Sequence, residues 1–166
     1  MKIPATFNEL KTSIAKAMLF LNSFDKQMYN TCEVLMHTGL RYNELKTENW
    51  KQISDTSFIV YTSKTKSYRL IELDQLNEAF LSYFFNNDYS SLIIFQSTFR
   101  YRWLLACLPT FSTDTENDIL SHIFRYYYIR KLKDAGMEIA EIMQKINHQD
   151  ESTTSNYVSK NIYINK

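Results

Sequence analysis

Glycine and proline are nearly missing from this chain, at 2 residues each in 166. An all-β fold depends on many tight turns built from those residues, so their scarcity excludes one and favours helix. Two cysteines, Cys32 and Cys107, are too few for a disulfide framework and have no metal-site spacing. They read as buried thiols in a reducing compartment. No apolar run approaches the ~18 residues that would span a bilayer. The segment Ala17-Met18-Leu19-Phe20-Leu21 is short and polar on both flanks. The N-terminus shows neither a basic-then-apolar leader nor a small-residue cleavage site, so a soluble, cytoplasmic protein with no membrane partner is expected. A charge excess is also lacking, with 19 Lys plus Arg against 18 Asp plus Glu. A uniformly basic nucleic-acid coat is thereby excluded, and a clustered basic face is not. There is no linker, low-complexity tract or internal repeat. The length therefore suits one domain over residues 1–166.

What is present is helical periodicity. Phe7, Leu10, Ile14, Ala17, Met18 and Leu21 follow i, i+3, i+4, i+7 spacing, which predicts an amphipathic helix over about Thr6–Leu21 ended by Asn22-Ser23. A second helix presents Met28, Cys32, Leu35 and Met36 on one face, and Gly39 stands where a C-terminal cap belongs. Leu40–Glu48 reads as a short helical turn. From Trp50 to Leu73 the pattern is β-rich. Phe58–Tyr61 and Tyr68–Ile71 form a hairpin whose polar loop, without glycine, should exceed two residues.

Asp74 is a plausible N-cap for a helix carrying Leu76, Phe80, Leu81 and Phe84. A further helix should span Ser97–Leu108 and stop before Pro109, with a loop over Thr110–Asp118. Helices are then expected at Ser121–Asp134, Met137–Ile146 and Glu151–Tyr157, the first two separated by Gly136. The fold class is mainly α with a small antiparallel β-sheet.

Arg125, Arg130, Lys131 and Lys133 fall close together, interleaved with Tyr126, Tyr127 and Tyr128. Such a run suits a solvated face or a phosphate backbone, to which arginine donates paired hydrogen bonds. More telling is a combination. Arg41 follows Thr38-Gly39-Leu40 and precedes Glu44-Leu45; His122 and Arg125 stand three apart; Tyr157 follows His148 by nine positions, with Thr153-Thr154 between.

With the hairpin lysine, these elements resemble the catalytic domain of the tyrosine recombinases, the phage integrase family. They lie in the family's order and cover Met36 to Val158. The resemblance implies that Arg41 and Arg125 clamp the scissile phosphate and that His122 and His148 bond the phosphate or attacking oxygen and assist proton transfer. Tyr157 would be the nucleophile, forming a 3′-phosphotyrosyl bond, with Tyr163 as a competing candidate. Lys64 would protonate the leaving 5′-oxygen, Lys66 being the alternative. Lys66, Arg69, Arg130 and Lys131 would contact the duplex further. Glu44 should orient Arg41 or cap its turn, and His37 should help end its helix. The implied partners are double-stranded DNA and three further copies, in a tetramer on synapsed sites. No metal or cofactor is implied.

The chain departs from the family pattern in three ways. Tyr126 stands where a histidine is usual, which could alter packing without removing a proposed catalytic group. Asn147 stands where glycine is common, and Asn tolerates the left-handed backbone glycine would supply. The first helix is expected to start almost at Met1, without room in this sequence for the family's N-terminal clamping domain, so the sequence is expected to be either an excised catalytic domain or a naturally short protein. Without a clamp, the net charge of +1 predicts weak, salt-sensitive DNA binding. The residues after Tyr157 would form a short tail that docks on a neighbouring subunit. The expected activity is DNA strand cleavage and rejoining. The alternatives are an inactive integrase-derived DNA-binding regulator, a relaxing topoisomerase and an unrelated helical interaction module.

Overall fold

The computed structural model describes residues 2–4, 6–93, 95–107, 122–159 and 163–165. Helix α1 (Phe7–Phe24) opens on a capping box. Thr6 Oγ1 accepts from the Glu9 amide at 3.2 Å, and the Glu9 carboxylate accepts from the Thr6 amide at 2.9 Å. The helix runs three residues past its expected end, because Asn22 and Ser23 are weak breakers and Asp25 supplies both caps. The Asp25 amide donates to the Leu21 carbonyl at 2.7 Å, while its carboxylate accepts from the Met28 amide at 3.2 Å. Helix α2 (Lys26–Thr38) thus follows without a loop. Its Met28, Cys32, Val34 and Leu35 are buried in the main core with Leu10, Ile14 and Leu21 of α1.

Two 3₁₀ turns, Tyr42–Leu45 and Thr47–Asn49, form the expected helical turn. They lead into an antiparallel sheet of β2 (Trp50–Gln52), β3 (Ser57–Thr62) and β4 (Ser67–Glu72), in that order. Thr62 pairs with Ser67, leaving the four-residue loop Ser63–Lys66, and Lys66 itself takes the positive φ (+52°) that a glycine would otherwise supply. Alternation buries Phe58 and Val60 on β3 and Arg69 and Ile71 on β4.

Helix α3 (Glu78–Asn86) begins later than expected. Its cap is Asn77, whose side-chain oxygen accepts from the Phe80 amide at 2.9 Å, while Asp74 lies in the 3₁₀ turn Leu73–Gln75. Helix α4 (Gln96–Cys107) buries Phe99 and Trp103. Pro109 and the expected loop at 110–118 lie outside the described residues. Helices α5 (Ile123–Asp134), α6 (Ile139–Lys145) and α7 (Glu151–Ser159) complete the helical layer, with a second small core of Tyr128, Ile129, Ile142 and Ile146 beneath α5 and α6. Among the residues after Tyr157, β5 (Tyr163–Asn165) pairs antiparallel with β1 (Lys2–Pro4). No described helix is long and apolar enough to cross a membrane.

Candidate active site

The site starts at the end of α2. Gly39 has φ +63°, the left-handed cap conformation, and its amide donates to the Leu35 carbonyl at 2.8 Å. A Cβ at this position would stand 2.5 Å from Tyr128 Cδ1, so α5 approaches as closely as it does only because no side chain intervenes. Two residues on, Arg41 opens the first 3₁₀ turn. Glu44 accepts from the Arg41 amide at 2.9 Å and from its Nη1 at 3.0 Å, so it caps the turn and aims the guanidinium together.

Arg125 comes from the first turn of α5 and is 1% exposed. Its Nη1 donates to the Gly39 carbonyl at 2.8 Å, its Nη2 to the Ile146 carbonyl at 2.9 Å and its Nε to His148 Nε2 at 3.3 Å. All three acceptors are neutral, and among the described residues no carboxylate pairs with it. Burial, followed by the charges of Arg41 and Arg69, pulls its pKa down to about 9, which leaves it a cation at neutral pH. Glu44 is the one buried carboxylate among the described residues, set against buried Arg69 and Arg125 and half-buried Arg41. Three guanidiniums against one carboxylate leave an excess of positive charge that favours an anion.

His148 follows α6, 7% exposed. An arginine Nε–H only donates, so His148 Nε2 must carry the lone pair and Nδ1 the proton. That Nδ1–H points at Thr154 Oγ1, 2.8 Å away on α7 and fully buried. Burial, and then Arg125, Arg41, Lys64 and Arg69, hold the ring's pKa down to about 3. The imidazole is therefore neutral, acting on the guanidinium as an acceptor.

Tyr157 lies on α7, half-buried. Its ring stacks on His148 with centroids 5.6 Å apart, and its hydroxyl lies 3.3 Å from His122 Nδ1. His122 is the exposed N-cap residue of α5. His122, Tyr157, His148 and Arg125 thus form one unbroken chain of contacts. Arg130 Nη1 donates to the Val158 carbonyl, tying the end of α7 back to α5. Tyr126, in the position where the family usually has histidine, is 5% exposed and packs in the core.

The β3–β4 loop carries Lys64 and Lys66, both exposed. Lys64 is near enough for its charge to act on His148. Asn147 adopts φ +56°, the left-handed conformation expected of it, and its side chain reaches into this loop.

The residues expected on the DNA face divide. Lys66 and Lys131 are exposed. Arg69 is not, because the register that buries Ile71 turns it inward as well. At 3% exposure it donates from Nε to the Lys145 carbonyl at 2.8 Å and from Nη2 to the Thr38 carbonyl, linking β4, α6 and α2. Arg130 is half-buried and engaged with Val158, a tether rather than an open surface cation. Tyr163 lies in β5, where its backbone pairs with Pro4. Sequence reasoning missed the partners of the site: Thr154 under His148, and the carbonyls of Gly39 and Ile146 on Arg125. The Thr153-Thr154 pair was a visible signal for the first; backbone acceptors leave none.

No curated protein matches the chain significantly. A family model does match, over residues 6–162, a span that holds Arg41, Lys64, His122, Arg125, His148 and Tyr157. With the helical fold, the small antiparallel sheet and this cationic cluster around a tyrosine, the conclusion is that the chain belongs to the phage integrase family, the tyrosine recombinases, whose members bind DNA and recombine or integrate it.

Proposed function

We propose that this protein cleaves and rejoins DNA strands through a 3′-phosphotyrosyl intermediate. The observation that carries the reading is the contact chain of Arg125, His148, Tyr157 and His122 beside Arg41. It sets a phenol next to a buried cation that has no carboxylate partner among the described residues.

A phenol ionises near pH 10, about three units above neutrality, so attack needs a proton acceptor or nearby positive charge. His122 Nδ1, at 3.3 Å from the Tyr157 hydroxyl, takes that proton when the nitrogen is unprotonated. The phenolate oxygen attacks phosphorus, forming P–Oη as P–O5′ breaks. Arg125 and Arg41 stabilise the charge that builds on the nonbridging oxygens. His148 keeps the Arg125 guanidinium oriented. Lys64 gives the departing O5′ its proton, with Lys66 the alternative donor. One phosphate ester replaces another of similar energy, so resealing by a 5′-hydroxyl needs no nucleotide cofactor. Four copies would serve two synapsed sites. The setting would be a cytoplasm, at the nucleoid of a bacterial or phage-infected cell.

The test is incubation with a pool of nicked duplexes of randomised sequence, followed by denaturation. The expected result is a covalent protein–DNA adduct that Tyr157→Phe abolishes. Duplex binding without any adduct overturns the reading.

A further inference from the structure

The segment 147–149 grips the lysine-bearing loop from both sides of His148. The Asn147 amide nitrogen donates to Ser67 Oγ at 2.6 Å and to Thr62 Oγ1 at 3.0 Å, with Thr65 Oγ1 at 3.4 Å. Gln149 Nε2 donates to the Thr65 carbonyl at 3.0 Å. The three hydroxyls are bonded to one another: Thr62 and Thr65 lie 2.7 Å apart, and Ser67 donates to Thr65 at 2.8 Å. Thr62 also donates to the Ser67 carbonyl at 2.8 Å, and Thr62 is 1% exposed. Across the turn itself, the Thr65 amide donates to the Thr62 carbonyl at 3.2 Å. The turn has no glycine or proline, and Lys64 at its tip is exposed. The clasp on its base fixes the backbone from which the Lys64 side chain extends.

We propose that Asn147 is a positioning residue for the general acid, clamping the Ser63–Lys66 turn so that the Lys64 ammonium meets the leaving 5′-oxygen. A glycine at this position would keep the backbone conformation and have no side-chain carboxamide to perform the clamp. Asn147 precedes the histidine that orients Arg125, so one short segment sets both the phosphate clamp and the proton donor. The inference rests on the cleavage reading above.

In the step concerned, P–Oη forms, P–O5′ breaks and the Lys64 proton passes to O5′. Replacing O5′ by sulfur removes the need for that proton, because a thiolate leaves unprotonated near neutral pH. Adduct formation is therefore compared on two nicked duplexes of a sequence recovered by the unaltered protein, one with oxygen and one with sulfur at the bridging position. Asn147→Gly, which retains the left-handed backbone, is expected to slow the oxygen duplex about tenfold or more and the sulfur duplex by less than about twofold. Lys64→Ala should show the same split more strongly. Ser67→Ala, which removes the shortest contact from the other side, should show it more weakly. Equal slowing on both duplexes, or none on either, overturns the proposal. No adduct from the unaltered protein overturns the cleavage reading and the proposal with it, and is recognised before any substitution is made.

Discussion

Arg125 Nε–H donates to His148 Nε2 across 3.3 Å, and this contact fixes the chemistry of both residues. It assigns the histidine a neutral tautomer with its remaining proton on Thr154, and it leaves the guanidinium held by neutral acceptors with its full charge available. A carboxylate in place of His148 would have neutralised the cation and weakened its hold on a phosphate.

Burial of His148, and then the Arg125 charge beside it, make stability depend on pH in one direction. The folded His148 pKa is lowered from 6.5 to about 3, so the unfolded chain binds this proton more readily. The stabilisation is fully present above about pH 6.5. It is lost progressively as pH falls from 6.5 toward about 3. Denaturant titrations between those values should show His148→Gln losing less stability on acidification than the unaltered protein. Parallel losses would mean that His148 is not the group responsible.

Thr154→Val keeps shape but removes the acceptor of the His148 Nδ1 proton. A buried donor left unsatisfied costs about 1–3 kcal/mol. The ring is then free to take the other tautomer, which would turn an N–H toward Arg125. Stability should fall by that amount and adduct formation should drop, with Thr154→Ser restoring both. Unchanged chemical denaturation of the valine variant would count against the tautomer assignment.

Arg125→Ala strands the carbonyls of Gly39 and Ile146 in the interior, and should destabilise the fold by about 3 kcal/mol. Arg125→Lys keeps the charge but loses the planar fork that spans three acceptors. It should remain folded and form adduct about 10²–10³-fold more slowly. Chemical denaturation and adduct time courses check the two halves separately.

Gly39→Ala meets two obstacles at once. Its φ of +63° disfavours a side chain, and the new Cβ would overlap the Tyr128 ring at 2.5 Å. A loss of about 2–4 kcal/mol is expected from strain plus displacement of α5. A melting temperature within a degree of the unaltered protein's would mean that α5 has room to move.

Tyr157→Phe removes a hydroxyl whose contact is to exposed His122 at 3.3 Å. Stability should change by less than about 0.5 kcal/mol while the adduct disappears. A large drop in stability would instead give the hydroxyl a structural role.

Much of the fold was legible because local rules decided it. The α2–Gly39 cap needs only a left-handed backbone after an apolar stripe. The four-residue hairpin loop follows from two β-rich runs with no glycine between them. The expected start of α3 falls too early because Asp74 and Asn77 are both good caps, and it is Asn77 whose side chain α2 holds in place, donating to the Asn30 carbonyl at 2.9 Å and to Glu33 at 3.1 Å while it caps Phe80. The spacing of Arg41, His122, Arg125, His148 and Tyr157 marked the candidate site, whereas the inward turn of Arg69 went unread. A strand arginine faces solvent or core according to register, and register is set by what the whole sheet packs against.

The sequence by itself determined the helices, the hairpin, the family pattern and the residue types at the candidate site, since periodicity, caps and order along the chain are local or linear properties. Only the tertiary structure decided which acceptors hold Arg125, which tautomer His148 carries, that Arg69 and Arg130 brace the interior, and that Asn147 clasps the lysine loop. Those outcomes depend on groups 21 to 86 residues apart meeting at hydrogen-bonding distance, and nothing along a one-dimensional chain records such distances.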